Sequence, residues 1–142
     1  MDIRHITPDY AVSPQIEPTD MALLAEQGFT MVINNRPDDE VPPTHQSDAM
    51  RAAAEAAGLT YVENPVVNGA MTMDMVTTQG QSITDATGPV FAYCRSGTRS
   101  TIVWALSNAG AQPTDALLTA AADAGYDISG LRGQIESLAQ GG

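Results

Sequence analysis

One segment of the sequence combines residue types that could carry out nucleophilic chemistry. It contains the only cysteine of the chain and reads Cys94-Arg95-Ser96-Gly97-Thr98-Arg99-Ser100. The apolar, β-rich residues 89–93 before it favour a strand, and the residues from 99 onward favour a helix. A cysteine at such a junction faces unpaired backbone N–H groups and the positive end of a helix dipole, which stabilise a thiolate and bind an oxyanion. The segment therefore predicts a thiolate nucleophile inside an anion-binding loop.

The other residues of this segment suit the same chemistry. Arg95, Ser96, Gly97 and Thr98 would form the loop, and glycine permits a positive φ or a close backbone approach to a ligand. The planar fork of Arg99 can grip two oxygens of one anion. The Ser100 hydroxyl is placed to hydrogen-bond the thiolate. We therefore expect Cys94, Arg99 and Ser100 to be catalytic. A buried structural cysteine is the alternative, but it does not account for two arginines, a glycine and three hydroxyl side chains directly after it.

Composition narrows the classes of partner. Seventeen acidic residues stand against six basic ones, all arginine, and the net charge is −11. Such a surface repels nucleic acid and anionic membranes, so we expect neither as a partner. Two of the six cations follow the cysteine, which favours a small anionic substrate.

A single cysteine and two distant histidines predict no metal site and no cofactor. The lack of an apolar run of ~18 residues predicts a cytoplasmic protein.

Strand-like and helix-like segments alternate along the chain. Strands are predicted at residues 10–13, 30–34, 60–64 and 89–93, and helices at residues 20–27, 46–57, 73–84, 99–108, 115–124 and 130–138. This order predicts a single α/β domain over residues 1–142, with three layers and a mainly parallel central sheet of about four strands flanked by helices. Ligands bind at the carboxyl ends of strands in such sheets. Cys94 and the polar turn at residues 35–40 both lie at such ends.

The same segments resemble a known family. Residues 10–15, 23–28 and 32–37 resemble the opening of dual-specificity and other protein-tyrosine-phosphatase-like domains. Over nearly its whole length the chain is similar to the bacterial phosphatase-like domain at the N-terminus of β-lactamase-hydrolase-like proteins. The resemblance implies a cysteine-phosphatase-like fold, with Cys94 as nucleophile and Arg99 as oxyanion clamp.

The sequence departs from the phosphatase pattern in its loop. Four residues separate Cys94 from Arg99, whereas phosphatases of this class have five. A four-residue spacing that begins Arg-Ser-Gly is similar to the active loop of rhodanese sulfurtransferases. Tyr93 stands where phosphatases usually carry a histidine.

The general acid is the second departure. Related phosphatases supply an aspartate about thirty residues before the cysteine, but residues 64–69 contain no acidic side chain. Asp39 and Asp74 are possible acids, as are the neighbours Asp38 and Glu40, although each also fits a turn or helix cap. Arg36 could reach the loop, or it could pair with the acidic residues of its own turn.

Three functions remain open on the sequence alone. The first is a phosphatase-like hydrolase in which Cys94 attacks phosphorus. The second is a rhodanese-type sulfurtransferase that forms a persulfide on Cys94, from a sulfane-sulfur donor, and needs no strong general acid. The third is a non-catalytic module that senses oxyanions or oxidants through Cys94.

Overall fold

A five-stranded sheet with helices on both faces forms the framework of the protein. The computed structural model describes residues 1–141. The strands are β1 (Arg4–Thr7), β2 (Tyr10–Ser13), β3 (Met31–Asn34), β4 (Thr60–Glu63) and β5 (Val90–Tyr93). The helices are α1 (Asp20–Glu26), α2 (Ser47–Ala56), α3 (Met73–Asp85), α4 (Thr98–Ser107), α5 (Thr114–Asp123) and α6 (Arg132–Gly141). In this part of the chain no helix is both long and apolar enough to cross a bilayer.

The strand order is β1-β2-β5-β3-β4, and all pairs except β1 with β2 are parallel. The predicted α/β class with a mainly parallel sheet is confirmed. The sheet has one strand more than the four we expected, because β1 adds an antiparallel edge. Ile6 is the one apolar residue of β1, so this strand lacks the apolar, β-prone run from which the other strands were predicted.

Alternate residues of each inner strand face opposite helical layers. In β5, Phe91 and Tyr93 pack with α1 and α2, whereas Val90 and Ala92 pack with α3, α4, α5 and α6. A period of two is the geometry of a strand buried on both faces. Since β5 lies at the centre of the sheet, the residue that follows it lies at the centre of the carboxyl edge. That residue is Cys94.

Candidate active site

Cys94 lies in a short loop between the central strand and a helix. β5 ends at Tyr93 and α4 begins at Thr98, which leaves residues 94–97 to turn the chain. The cysteine side chain is fully buried, and the backbone N–H of Gly97 donates a hydrogen bond to its Sγ at 3.1 Å. Gly97 has φ +96°, a left-handed conformation that strains any residue with a Cβ. The loop thus aims a backbone donor at sulfur directly before the start of α4.

Neighbouring segments hold this loop at several points. The Arg95 carbonyl accepts from Gln15 N–H at 3.3 Å, and the Gly97 carbonyl accepts from the hydroxyl of Thr101 at 2.9 Å. The Ser96 hydroxyl donates to the Thr98 hydroxyl at 3.0 Å. Arg95, Ser96 and Thr98 are exposed, so their side chains form the rim of the loop while Cys94 lies below it.

Arg99 is held next to Cys94 by a carboxylate from a distant turn. Its Nη1 and Nη2 donate to the two oxygens of Glu40 at 2.8 and 2.7 Å, and Nη1 also donates to the Val66 carbonyl at 2.8 Å. The bonds to Glu40 are the largest cause of the raised pKa of Arg99, and the nearby sulfur of Cys94 raises it further. The arginine is therefore a fixed cation that faces the thiol.

One edge of the Arg99 guanidinium makes no hydrogen bond to Glu40 or Val66. An arginine has five N–H donors, and Glu40 and Val66 engage three of them. The other two, on Nε and Nη2, lie along one edge and are not engaged by either partner. Two parallel donors are what a bidentate clamp on an oxyanion requires.

Arg36 belongs to the same charged cluster. Its Nε donates to Glu40 Oε1 at 3.2 Å and its Nη1 to the side chain of Gln15 at 3.2 Å. Arg36 thus reaches the loop region and also pairs within its own turn. The hydrogen bond from Arg99, followed by that from Arg36, holds the pKa of Glu40 below its usual value, against the opposing effect of burial. Glu40 is therefore ionised at neutral pH and unsuited to donate a proton.

Ser100 belongs to a buried polar network on the helical side of the loop. Its hydroxyl donates to Asn35 Oδ1 at 2.9 Å, so its single proton is not directed at Cys94 Sγ. The Asn35 amide donates in turn to Gln79 Oε1 at 2.8 Å, and Gln79 donates to the Tyr10 hydroxyl at 3.1 Å. The Tyr10 hydroxyl donates to the Ser100 carbonyl at 2.8 Å. The network therefore fixes the first turn of α4 against β2, β3 and α3.

The three aspartates considered as acids, Asp38, Asp39 and Asp74, are all exposed. Asp39 lies in the 3-10 turn Asp38–Glu40, whose last residue contacts Arg99, so this turn does lie against the loop. Asp74 lies in the first turn of α3. Asp38 instead accepts a hydrogen bond from the backbone N–H of Ser47 at 2.7 Å at the start of α2. Of the acidic residues in this turn, Asp39 is thus the one free of both Arg99 and α2.

Tyr93, in the position of the phosphatase histidine, points away from the loop. Its ring is fully buried among the residues that pack with α1 and α2. Burial raises the pKa of Tyr93, so its hydroxyl stays protonated. Within residues 1–141 that hydroxyl has no hydrogen-bond partner.

Sequence reasoning missed the roles of four residues that hold the loop or the first turn of α4. Glu40 was considered as an acid or a partner of Arg36, but not as the partner of Arg99. Asn35 and Gln79 were not singled out, although a buried polar residue at a strand end is a signal that could have found Asn35. Tyr126, whose hydroxyl donates to the Ser96 carbonyl at 2.9 Å, carries no local motif.

A central parallel sheet with a buried cysteine and a clamped arginine at the start of a helix defines a phosphatase-type cysteine-loop domain. Residues 2–111 match the family described as "Beta-lactamase hydrolase-like protein, phosphatase-like domain", and the chain belongs to this family. It is 36% identical over 107 residues to a beta-lactamase hydrolase-like protein of Xylella fastidiosa (strain Temecula1), which is 75% of this chain and 25% of the relative. The chain thus spans about a quarter of the length of the curated relatives that it matches first.

Solved structures support the same class. A candidate phosphatase of Neisseria meningitidis Z2491 superposes with a TM-score of 0.83 at 30% identity, covering 97% of this chain and 99% of that one. TpbA of P. aeruginosa, solved in complex with phosphotyrosine, superposes with a TM-score of 0.62 at 18% identity, covering 94% of this chain and 90% of that one. The second likeness concerns the fold alone. The family and the Neisseria neighbour are both described as phosphatase-related, as the sequence resemblance predicts.

Proposed function

We propose that this chain is a phosphatase-like hydrolase that uses the Cys94 thiolate as its nucleophile. The observation that carries the proposal is the 3.1 Å hydrogen bond from Gly97 N–H to Cys94 Sγ at the start of α4. A donor aimed at sulfur, with the adjacent Arg99 cation, can stabilise negative charge at the nucleophile during the reaction. The same groups can stabilise the charge that develops on a transferring phosphoryl group.

The chemistry then runs in two steps. Cys94 Sγ forms a bond to phosphorus while the ester P–O bond breaks, and the leaving oxygen takes a proton from the carboxyl group of Asp39. Water next attacks phosphorus and gives a proton to the Asp39 carboxylate, the S–P bond breaks, and inorganic phosphate leaves with the thiolate restored. The free edge of Arg99 binds two phosphoryl oxygens in both steps, and Glu40 keeps that edge turned toward the loop. Arg95, exposed on the rim, is available to a second anionic group of the substrate.

Asp39 is the better placed of the two possible acids, because its turn lies against Arg99. A proton donor matters most when the leaving group is basic. We expect Asp39→Asn to slow hydrolysis of an alkyl phosphate by about 100-fold and that of 4-nitrophenyl phosphate far less. Equal effects on both substrates would assign the acid elsewhere, and Asp74→Asn is the matched comparison.

Sulfur transfer is the second candidate, and the spacing of the loop favours it. Four residues between Cys94 and Arg99 match the rhodanese-like pattern, and a persulfide on Cys94 needs no strong acid. In that reaction Cys94 Sγ takes the outer sulfur of thiosulfate, sulfite leaves, and a thiol acceptor later removes the sulfur. The Gly97 N–H would stabilise a persulfide anion on Cys94 as well as it stabilises the thiolate.

Intact mass and phosphate release separate the two reactions. Wild type and Cys94→Ser are incubated with 4-nitrophenyl phosphate and, separately, with thiosulfate. The proposal expects phosphate release from wild type only and no gain in mass, with Cys94→Ser folded and inactive. A gain of one sulfur atom on wild type without phosphate release would make the protein a sulfurtransferase. Phosphate release that survives in Cys94→Ser would refute the nucleophile.

A further inference from the structure

Tyr126 contacts the cysteine loop from outside the region that matches the family. The family match ends at residue 111, whereas Tyr126 lies in the connection between α5 and α6. Its hydroxyl donates to the Ser96 carbonyl at 2.9 Å, and only 6% of the residue is exposed. The mechanism above gives it no role.

The Tyr126 contact bears on the orientation of one peptide unit. The Ser96 carbonyl and the Gly97 N–H belong to the same planar trans peptide, so they point in opposite directions. Tyr126 holds the carbonyl outward, and the N–H is consequently directed inward, where it meets Cys94 Sγ at 3.1 Å. The hydrogen bond from Tyr126 to the Ser96 carbonyl and the hydrogen bond from the Gly97 N–H to Cys94 Sγ therefore restrain the same peptide unit.

The loop needs such a restraint because Gly97 makes this peptide easy to rotate. A glycine populates positive and negative φ about equally, so its own conformation does not fix the preceding peptide. Rotation of that peptide would turn the Ser96 carbonyl oxygen, a partial negative charge, toward the thiolate. The loop also fits closely against the phenol, since a Cβ on residue 97 would overlap the Tyr126 hydroxyl.

The surroundings of Tyr126 keep it a rigid donor. The Arg4 guanidinium lies over its ring, 5.1 Å from the centroid, and Arg4 is itself paired with Asp2 at 2.9 Å. Burial raises the pKa of Tyr126, and this outweighs the opposing effect of Arg4, so the phenol keeps its proton at neutral pH. A protonated hydroxyl can donate to a carbonyl, whereas a phenolate could not.

We propose that Tyr126 is a positioning residue that sets the orientation of the Ser96–Gly97 peptide and so directs the Gly97 N–H at Cys94 Sγ. It acts through the loop and does not touch the substrate. This inference rests on the proposed function for its catalytic consequence, but its structural part is independent of the reaction.

The test compares Tyr126→Phe with Tyr61→Phe. Tyr61 is a suitable control because it is also buried and its hydroxyl is also hydrogen-bonded, to Asn34 and Ser47, away from the cysteine loop. Amide hydrogen exchange of Gly97 is followed by NMR, and kcat and KM are measured with 4-nitrophenyl phosphate. We expect Tyr126→Phe to speed Gly97 exchange about tenfold and to lower kcat about tenfold, which is the size of one lost hydrogen bond. Tyr61→Phe should change neither.

Three other outcomes contradict the inference. Unchanged Gly97 exchange in Tyr126→Phe would show that the phenol does not hold the peptide. Equal acceleration in Tyr61→Phe would show general loosening of the fold. Faster exchange with unchanged kcat would show that the N–H is dispensable. If wild type releases no phosphate, the proposed function fails, and Gly97 exchange alone still decides whether Tyr126 positions the loop.

Discussion

The two ends of the Arg99 guanidinium do different work. One end is fixed by Glu40 and by the Val66 carbonyl, and the Nε edge, which neither partner engages, is the one that we propose binds an anion. The Glu40 carboxylate also offsets part of the positive charge of Arg99, which weakens the attraction of the arginine for an anion. Its two hydrogen bonds, however, fix the orientation of the guanidinium. The activity should therefore depend on Glu40, a residue that does not need to touch the substrate.

Glu40→Gln tests this dependence. The amide keeps one acceptor for Arg99 but loses the charged bidentate pair, so the clamp is free to turn away. We expect kcat/KM for 4-nitrophenyl phosphate to fall about tenfold, in line with the cost of a misplaced binding group. Glu26→Gln removes the same charge at an exposed position and is the control. Wild-type kinetics in Glu40→Gln would mean that Val66 alone positions the arginine.

Glu40 should also contribute to the decrease of the free energy of unfolding at acid pH. Its pKa is lowered in the folded state, chiefly by the hydrogen bond from Arg99, so the fold favours the ionised form. That stabilisation is fully present above the unfolded pKa of about 4.5 and is lost as the pH falls through the lower folded value. Urea denaturation of wild type and Glu40→Gln should therefore differ most near neutral pH and converge in acid. A difference that grows below about pH 4.5 would contradict the assignment.

Among the secondary-structure elements, α3 is tied to the sheet by one buried side chain. The Gln79 Oε1 accepts from the amides of Asn35 and Asn64, at 2.8 and 2.9 Å, and its amide donates to the Tyr10 hydroxyl and to Asn35. Gln79 is fully buried. Water therefore cannot take its place as the hydrogen-bond partner of Asn35, Asn64 and Tyr10. The helix thus stabilises the strand ends that flank the cysteine loop.

Gln79→Met should destabilise the protein strongly. Methionine fills a similar volume but leaves the buried amides of Asn35 and Asn64 with an acceptor fewer. We expect a loss of about 3 kcal/mol in the free energy of unfolding, measured by urea denaturation. Gln81→Met, in the same helix but on its exposed face, should change it by less than about 0.5 kcal/mol. Equal effects of the two substitutions would argue against the network.

At the scale of the whole molecule, the net charge of −11 acts against compactness. Five of the six arginines are engaged in contacts of the described residues: Arg4, Arg36, Arg99 and Arg132 in ion pairs, and Arg51 over the Tyr61 ring. Most acidic side chains therefore face solvent without a cation to balance them. Mutual repulsion between them is long-range and is screened by salt.

Added salt should consequently stabilise the fold. We expect the free energy of unfolding to rise by about 1 kcal/mol between about 10 mM and about 200 mM NaCl at neutral pH. Thermal or urea unfolding at each salt concentration measures it, with sodium sulfate excluded because sulfate could bind the loop. A fall in stability would mean that attractive pairs such as Glu40 with Arg99 outweigh the repulsion.

The sequence by itself determined the features that are local. The cysteine loop is contiguous, and the strand before it and the helix after it have their own patterns, so the junction at residues 94–97 followed from neighbouring residues alone. Runs of apolar and β-prone residues likewise predicted β2, β3, β4 and β5 to within about a residue at each end. Both edge strands bury a single residue, but β4 carries the β-prone pair Tyr61 and Val62, whereas Ile6 is the one apolar residue of β1.

Only the tertiary structure decided which distant side chains meet the loop. Glu40 and Arg99 are 59 residues apart, Asn35 and Gln79 are 44 apart, and Tyr126 and Ser96 are 30 apart. No local pattern encodes such pairs, because each depends on how two elements are placed against the sheet and on the direction of one side chain. A glutamate in a turn and a tyrosine between helices are ordinary surface residues by sequence. Their contacts with Arg99 and Ser96 arise from packing, which brings separate segments to the carboxyl edge of β5.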